Sequence, residues 1–251
     1  MRPMLYVLRF LLVAIYTVVW GVAACLASPF DDGRALVWVA RRWVAWILAS
    51  CGIEVSADGL ANVPRERSCV YMSNHQSVFD VVAIVATLPV SWKFVAKREL
   101  TWIPFFGWAL ALSGQVIVDR RDHAASVASL ERAARRVREG ANVIVFPEGT
   151  RSPDGGLREF KSGGFHLALA AGVPIVPVTV SGSRAIAAPG SLRVESGRVS
   201  VRFGVPIPTA GVRLEERGEL KLRVREAIAR GYDPALQGAG RAQGTNAAPT
   251  R

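Results

Sequence analysis

The chain has 251 residues, 51% of them hydrophobic, and a formal net charge of +11 from 31 Lys+Arg against 20 Asp+Glu. Such a composition is too apolar for a disordered chain and, at a mean hydropathy of +0.26, high for a soluble enzyme. The charge favours a phosphorylated ligand or an acidic membrane surface; nucleic acid is the weaker partner, since no helix-turn-helix signature, zinc-finger spacing or RNP-like aromatic motif is present.

The apolar excess sits at the N-terminus. Residues 10–27 hold no charge, Pro or Asn, and as a helix at about 1.5 Å per residue they reach roughly 27 Å, close to a hydrocarbon core of about 30 Å. Arg2 and Arg9 precede this run, and basic flanks favour the cytoplasm. A second apolar stretch, 35–53, is broken by Arg41 and Arg42 and carries Trp38, Trp43 and Trp46 at helical spacing, the pattern of a helix in the headgroup region. Ser28-Pro29-Phe30-Asp31-Asp32-Gly33 reads as a turn between them. Residues 1–53 are therefore expected to form a two-helix membrane anchor, either a spanning hairpin or a shallow one. A secretory signal, or a lipoprotein-like site at Val22-Ala23-Ala24-Cys25, is the rival reading.

From residue 54 the pattern changes to short β-branched runs at 68–72, 93–96, 115–119, 142–146, 175–180 and 199–203. Helical patterns intervene. Residues 125–139 place Val127, Leu130, Ala134 and Val137 on one stripe, and 164–171 and 214–230 follow. This alternation predicts one α/β domain over 54–233, a mixed and mostly parallel sheet flanked by helices. Residues 234–251 read as a flexible tail.

Three cysteines, Cys25, Cys51 and Cys69, form neither a Cys-x-x-Cys pair nor a disulfide framework. Cys69 precedes a strand and admits an acyl-cysteine route, but no base is adjacent in sequence. No His/Cys ligand cluster calls for a metal, and no cofactor is expected.

Asn74-His75-Gln76-Ser77-Val78-Phe79-Asp80 follows the first of these strands. Histidine is suited to proton transfer near neutral pH, and a carboxylate can hold one ring nitrogen protonated while the other acts as base. Five residues of regular helix would turn the two side chains about 140° apart. The pair therefore requires a strand-to-helix junction that folds His75 back over Asp80 in the first turn, with Ser77 or Asn74 as a cap. Taken alone, a His near an Asp is more often structural.

Phe146-Pro147-Glu148-Gly149-Thr150-Arg151-Ser152 also leaves a strand. Pro147 and Gly149 specify an unusual turn, and its backbone N–H groups, the Thr150 hydroxyl and the Arg151 guanidinium suit an anion cradle. Lys97 and Arg120 each end a predicted strand, where α/β folds place ligands. Residues 102–108 are apolar and aromatic, either core or a lip facing lipid. Lys161 and Arg184 are further candidates for contact with a donor, and His123 and His166 read as surface or packing residues.

Together these blocks resemble the glycerolipid acyltransferase family, specifically bacterial 1-acylglycerol-3-phosphate acyltransferases. The likeness covers about residues 69–180 and rests on four motifs in the family's order: Asn74 to Asp80; Lys97-Arg98-Glu99-Leu100 with Gly114 and Asp119-Arg120; Phe146 to Arg151; and Val173-Pro174-Ile175-Val176-Pro177-Val178. The resemblance implies His75 as base and Asp80 as its partner. It implies phosphate contacts from Arg120 and Arg151 with Lys97 helping, and an acceptor pocket or oxyanion site shaped by Glu148, Gly149 and Thr150. It further implies lysophosphatidic acid as acceptor, acyl-CoA or acyl carrier protein as donor, and a catalytic domain on the cytoplasmic face of a bacterial inner membrane, at the phospholipid surface. Transfer to another lysolipid or to glycerol 3-phosphate, and a catalytically silent lipid-binding protein, are the alternatives.

Overall fold

The computed structural model describes residues 2–28, 34–119 and 123–237. Helices α1 (Arg2–Ala27) and α2 (Arg34–Cys51) pack side by side in opposite directions. Tyr16 pairs with Ser50 at 3.0 Å, Trp43 donates to Thr17 Oγ1 at 3.2 Å, and Trp20 meets both Trp38 and Trp46 edge-on. The expected pair of anchor helices thus forms, but among the described residues only one, Met4–Ala27, is long and apolar enough to cross a membrane. Arg41 and Arg42 lower the apolarity of α2. The central residues of the expected turn, 29–33, lie outside the described residues. Helix α1 does not project from the protein: Arg9 donates to Val194 O at 3.1 Å, and Val13 and Tyr16 pack on the core.

The remaining elements are β1 (Ile53–Asp58), β2 (Val70–Ser73), α3 (Phe79–Thr87), β3 (Lys93–Lys97), α4 (Phe106–Leu112), β4 (Val116–Val118), α5 (His123–Arg138), β5 (Val143–Val145), α6 (Gly163–Ala171), β6 (Ile175–Ser181), α7 (Ser183–Ile186), β7 (Gly197–Phe203), α8 (Arg217–Arg230) and α9 (Pro234–Gln237). The sheet order is β1-β7-β6-β2-β5-β3-β4. All neighbours run parallel except β6 and β7, so the mixed, mostly parallel sheet is as expected. Its central strands are covered on both faces, which is why they read as unbroken apolar runs. Tyr71 and Ile144 face a layer built by α2 and α3, while Val70, Met72, Val143 and Val145 face α5, α6 and α8.

Several elements were not expected from the sequence, β1, α4 and the short α7 among them. Strand β1 has the burial of an edge strand, one residue buried and most of the others exposed, so no apolar run marks it; its register is set by β7. Helix α4 hides in the aromatic segment 102–108. It approaches α1 closely at Gly21, where a Cβ would lie 3.2 Å from Phe105. Trp102, Ile103, Trp108 and Leu112 remain exposed beside the exposed apolar side chains of α1. The first four residues of the expected tail form α9, which packs on β7; residues 238–251 lie outside the described residues.

Candidate active site

Because β2, β3, β5 and β6 are parallel, the segments that leave them emerge at one edge of the sheet, and that edge gathers the motifs. Strand β2 gives way to His75, β5 to the turn at 146–152, β3 to Lys97, and β6 to Ser183.

The chain leaves the sheet at Asn74, whose side chain continues the ladder in place of backbone. Its Nδ2 donates to Val180 O at 2.8 Å and its Oδ1 accepts from Val180 N at 2.8 Å. This frees the main chain to bend towards α3. Asp80, fully buried in the first turn of α3, then closes the bend. Its Oδ2 accepts from Gln76 N at 2.7 Å and Ser77 N at 2.8 Å, and His75 Nδ1 lies 2.8 Å from the same oxygen. The expected His75–Asp80 contact is therefore present. Two backbone amides and the helix N-terminus keep the carboxylate a fixed acceptor. That assigns the proton to Nδ1 and leaves the Nε2 lone pair outward. Of the two expected caps Ser77 serves: its Oγ accepts from Phe79 N, the first residue of α3, at 3.2 Å and donates to Ala187 O at 2.6 Å, while Val78 between them makes no side-chain bond and Asn74 is spent on Val180.

The imidazole is 18% exposed and stacks on Phe146, with centroids 4.0 Å apart and planes at 20°. Phe146 stacks in turn on Phe94. The His75 main chain is gripped from the other motif: its N–H donates to Glu148 Oε1 at 2.7 Å, and its carbonyl accepts from Ser152 N at 2.7 Å. Glu148 Oε2 accepts from Arg158 N at 3.0 Å, so this carboxylate, only 2% exposed, is turned inward as a bracket between loops. Burial pushes the Glu148 carboxyl above its ordinary range, against the lowering effect of those two amides.

Gly149 has φ +73°, which an L side chain resists. Its N–H closes the turn on Phe146 O at 3.0 Å. The N–H groups of Thr150 and Arg151 make no hydrogen bond among the described residues, nor does the Arg151 guanidinium, which is half-buried at the rim. Lys97 stands at the same edge and pairs with Glu99 at 3.0 Å; Arg98 pairs with Asp119 at 2.8 Å. Arg120 lies outside the described residues.

The structure adds residues that sequence reasoning missed. Ser183 donates to Asp80 Oδ1, completing its shell. Gln76 donates to Gly155 O at 2.8 Å and to the Tyr232 hydroxyl at 3.2 Å, tying the catalytic loop to the chain after α8. No local signal marks Ser183 or Tyr232, which arrive from 103 and 156 residues away. Cys69 lies at the opposite end of β2 from His75, fully buried, with burial pushing its thiol up to about 11. An acyl-cysteine route has no support in that placement.

The family model described as Acyltransferase matches residues 54–181. A chloroplastic 1-acyl-sn-glycerol-3-phosphate acyltransferase of Brassica napus is 41% identical over 66% of this chain and 50% of its own length. A 1-acyl-sn-glycerol-3-phosphate acyltransferase of Limnanthes douglasii is 33% identical over 80% of this chain and 72% of its own. The crystal structure of the 1-acyl-sn-glycerophosphate (LPA) acyltransferase PlsC from Thermotoga maritima superposes with a TM-score of 0.79 at 27% identity, covering 92% of this chain and 94% of that one. Against the Brassica napus protein, and against a 1-acyl-sn-glycerol-3-phosphate acyltransferase of Cocos nucifera that is 32% identical, the chain spans 50% and 65% of their length. With more than half its residues matched by the family model and its fold shared with PlsC, the chain belongs to the acyltransferase family.

Proposed function

We propose that this protein transfers an acyl chain from a thioester, acyl-CoA or acyl carrier protein, to the sn-2 hydroxyl of 1-acylglycerol 3-phosphate, giving phosphatidic acid. The observation that carries the reading is the His75–Asp80 contact at 2.8 Å, held at the sheet edge beside the turn at 146–152. The names of the relatives supply the acceptor. His75 Nε2 takes the proton of the acceptor hydroxyl as its oxygen attacks the thioester carbonyl. Asp80 stabilises the imidazolium that forms. The N–H groups of Thr150 and Arg151, which bond nothing among the described residues, are the candidate donors to the oxyanion. Collapse breaks the C–S bond, and His75 returns the proton to the leaving thiolate. Arg151, with Lys97 and Arg120, takes the acceptor phosphate, while Glu148 and Gly149 set the shape of the turn. An apolar cavity of about 130 Å³ between α1, α2, β3 and α4 is lined by Phe94, the ring on which Phe146 stacks, and is a candidate to take part of an acyl chain.

Residues 1–53 act as the anchor and 54–233 as the catalytic domain. Because α1 packs on that domain through Arg9, Val13 and Tyr16, a hairpin lying in one leaflet fits better than a span. This keeps the site on the cytoplasmic face of a bacterial inner membrane, where the positive charge meets acidic lipid. Purified protein supplied with an acyl thioester and lysophosphatidic acid should form phosphatidic acid, and His75→Ala should abolish this while remaining folded. Undiminished turnover in His75→Ala would end the reading.

A further inference from the structure

We infer that Lys161, from the loop that enters α6, supplies a further cation to the acceptor phosphate site, next to Arg151. Lys161 N donates to Pro147 O at 2.8 Å, which pins its backbone to the turn. Its side chain then runs directly over Gly149. A Cβ on Gly149 would lie 3.0 Å from Lys161 Cδ, 3.1 Å from Cε and 3.2 Å from Nζ. A side chain at Gly149 would crowd the lysine along this path. Gly149 serves two purposes, its positive φ and this passage.

The ammonium at the end of that path is unspent. Lys93 donates to Ser113 O at 2.6 Å and Lys97 pairs with Glu99, whereas the exposed Lys161 ammonium has no hydrogen bond or ion pair among the described residues. The nearest carboxylate in sequence on that turn, Glu148, is buried and bonded to His75 N and Arg158 N, so it does not neutralise the lysine. Arg151, two residues past Gly149, is also without a partner among the described residues. One cation on the turn and a second crossing it at Gly149, with Ser152 of that turn gripping the His75 carbonyl, suit a phosphate monoester dianion. That ligand chemistry belongs to the acceptor and, in a different form, to the phosphates of a donor; this inference commits to the acceptor and rests on the proposed reaction.

The test is Lys161→Met, with Lys161→Arg as rescue. Acceptor KM is measured at saturating thioester, donor KM at saturating lysophosphatidic acid, and binding of lysophosphatidic acid to each protein is measured without donor. Loss of one charge-assisted contact predicts a rise of about 10- to 100-fold in acceptor KM and in the binding constant. Donor KM should stay within about twofold, the melting temperature should hold, and arginine should restore most of the loss. An unchanged acceptor KM and binding constant would overturn the inference, as would a rise confined to donor KM. If the wild type binds lysophosphatidic acid through Lys161 but does not acylate it, the proposed reaction fails and the phosphate site stands.

Discussion

Ser183 donates its hydroxyl to Asp80 Oδ1, the carboxylate oxygen that His75 leaves free. Asp80 is fully buried, and its other oxygen already serves His75, Gln76 N and Ser77 N. Removing the hydroxyl leaves a buried charged acceptor short of a donor, which costs about 1–3 kcal/mol. Ser183→Ala should therefore lower the melting temperature. It should also reduce kcat by about tenfold, as loss of an orienting partner commonly does, with KM for both substrates nearly unchanged. Normal kcat would show that the two Oδ2 amides alone orient the carboxylate.

Asp80→Asn tests the same shell from its centre. Oδ2 must accept three times, from one ring nitrogen and two amides. An amide NH₂ placed there would oppose three donors, and the flipped amide would leave its NH₂ against the Ser183 hydroxyl and demand a new arrangement. In the first orientation the imidazole loses the acceptor that fixes its tautomer; in the second it keeps that acceptor but loses the negative charge that stabilises the imidazolium. A fall in kcat of about 10⁴ is expected by analogy with other His–Asp pairs, with circular dichroism unchanged. A modest decrease would mean that the backbone amides and Phe146 stacking hold the ring unaided.

Much of this arrangement was legible in the chain. The strand after which His75 falls, its pairing with Asp80 and the turn at Pro147–Gly149 all follow from local patterns, because buried parallel strands leave unbroken apolar runs and special turns require Pro and Gly. The contacts that align these pieces were not legible. Ser183 and Tyr232 reach the site only through the sheet order, and a lone serine after a strand carries no periodic signal. Strand β1 lies at the sheet edge and carries an alternating signal, Ile53, Val55 and Ala57 against Glu54, Ser56 and Asp58, which a search for unbroken apolar runs passes over. Of the two cap candidates, Ser77 and Asn74, only Ser77 bonds the start of α3; Asn74 is instead a surrogate rung on β6, a use that no local pattern distinguishes from capping.

That rung gives a third prediction. Asn74→Ala leaves both Val180 N and Val180 O unsatisfied in the fully buried centre of the sheet. At about 1–3 kcal/mol for each stranded group, the variant should be among the least stable single substitutions at the site. Asn74→Asp retains the acceptor for Val180 N but turns an acceptor towards Val180 O, so it should also destabilise. A melting temperature within about 2 °C of wild type in Asn74→Ala would show that water or backbone shift repairs the gap.

Glu148 supplies the pH dependence. Burial raises its carboxyl above the ordinary value of 4.5, despite the amides of His75 and Arg158. A carboxyl whose folded pKa exceeds its unfolded one binds more protons in the native state between those two values, so its contribution to stability falls as pH rises through that window and is level above it. Glu148→Gln removes the titration while keeping one acceptor oxygen, at the cost of facing an NH₂ towards one of the two amides. The melting temperature of wild type minus that of Glu148→Gln should therefore decrease as pH is raised from about 4 and flatten once the native carboxyl is ionised. A difference that increases with pH would mean that the His75 and Arg158 amides outweigh desolvation and that Glu148 is held as a stabilised anion. That outcome would make it a source of negative potential beside His75 rather than a bracket that resists its own charge.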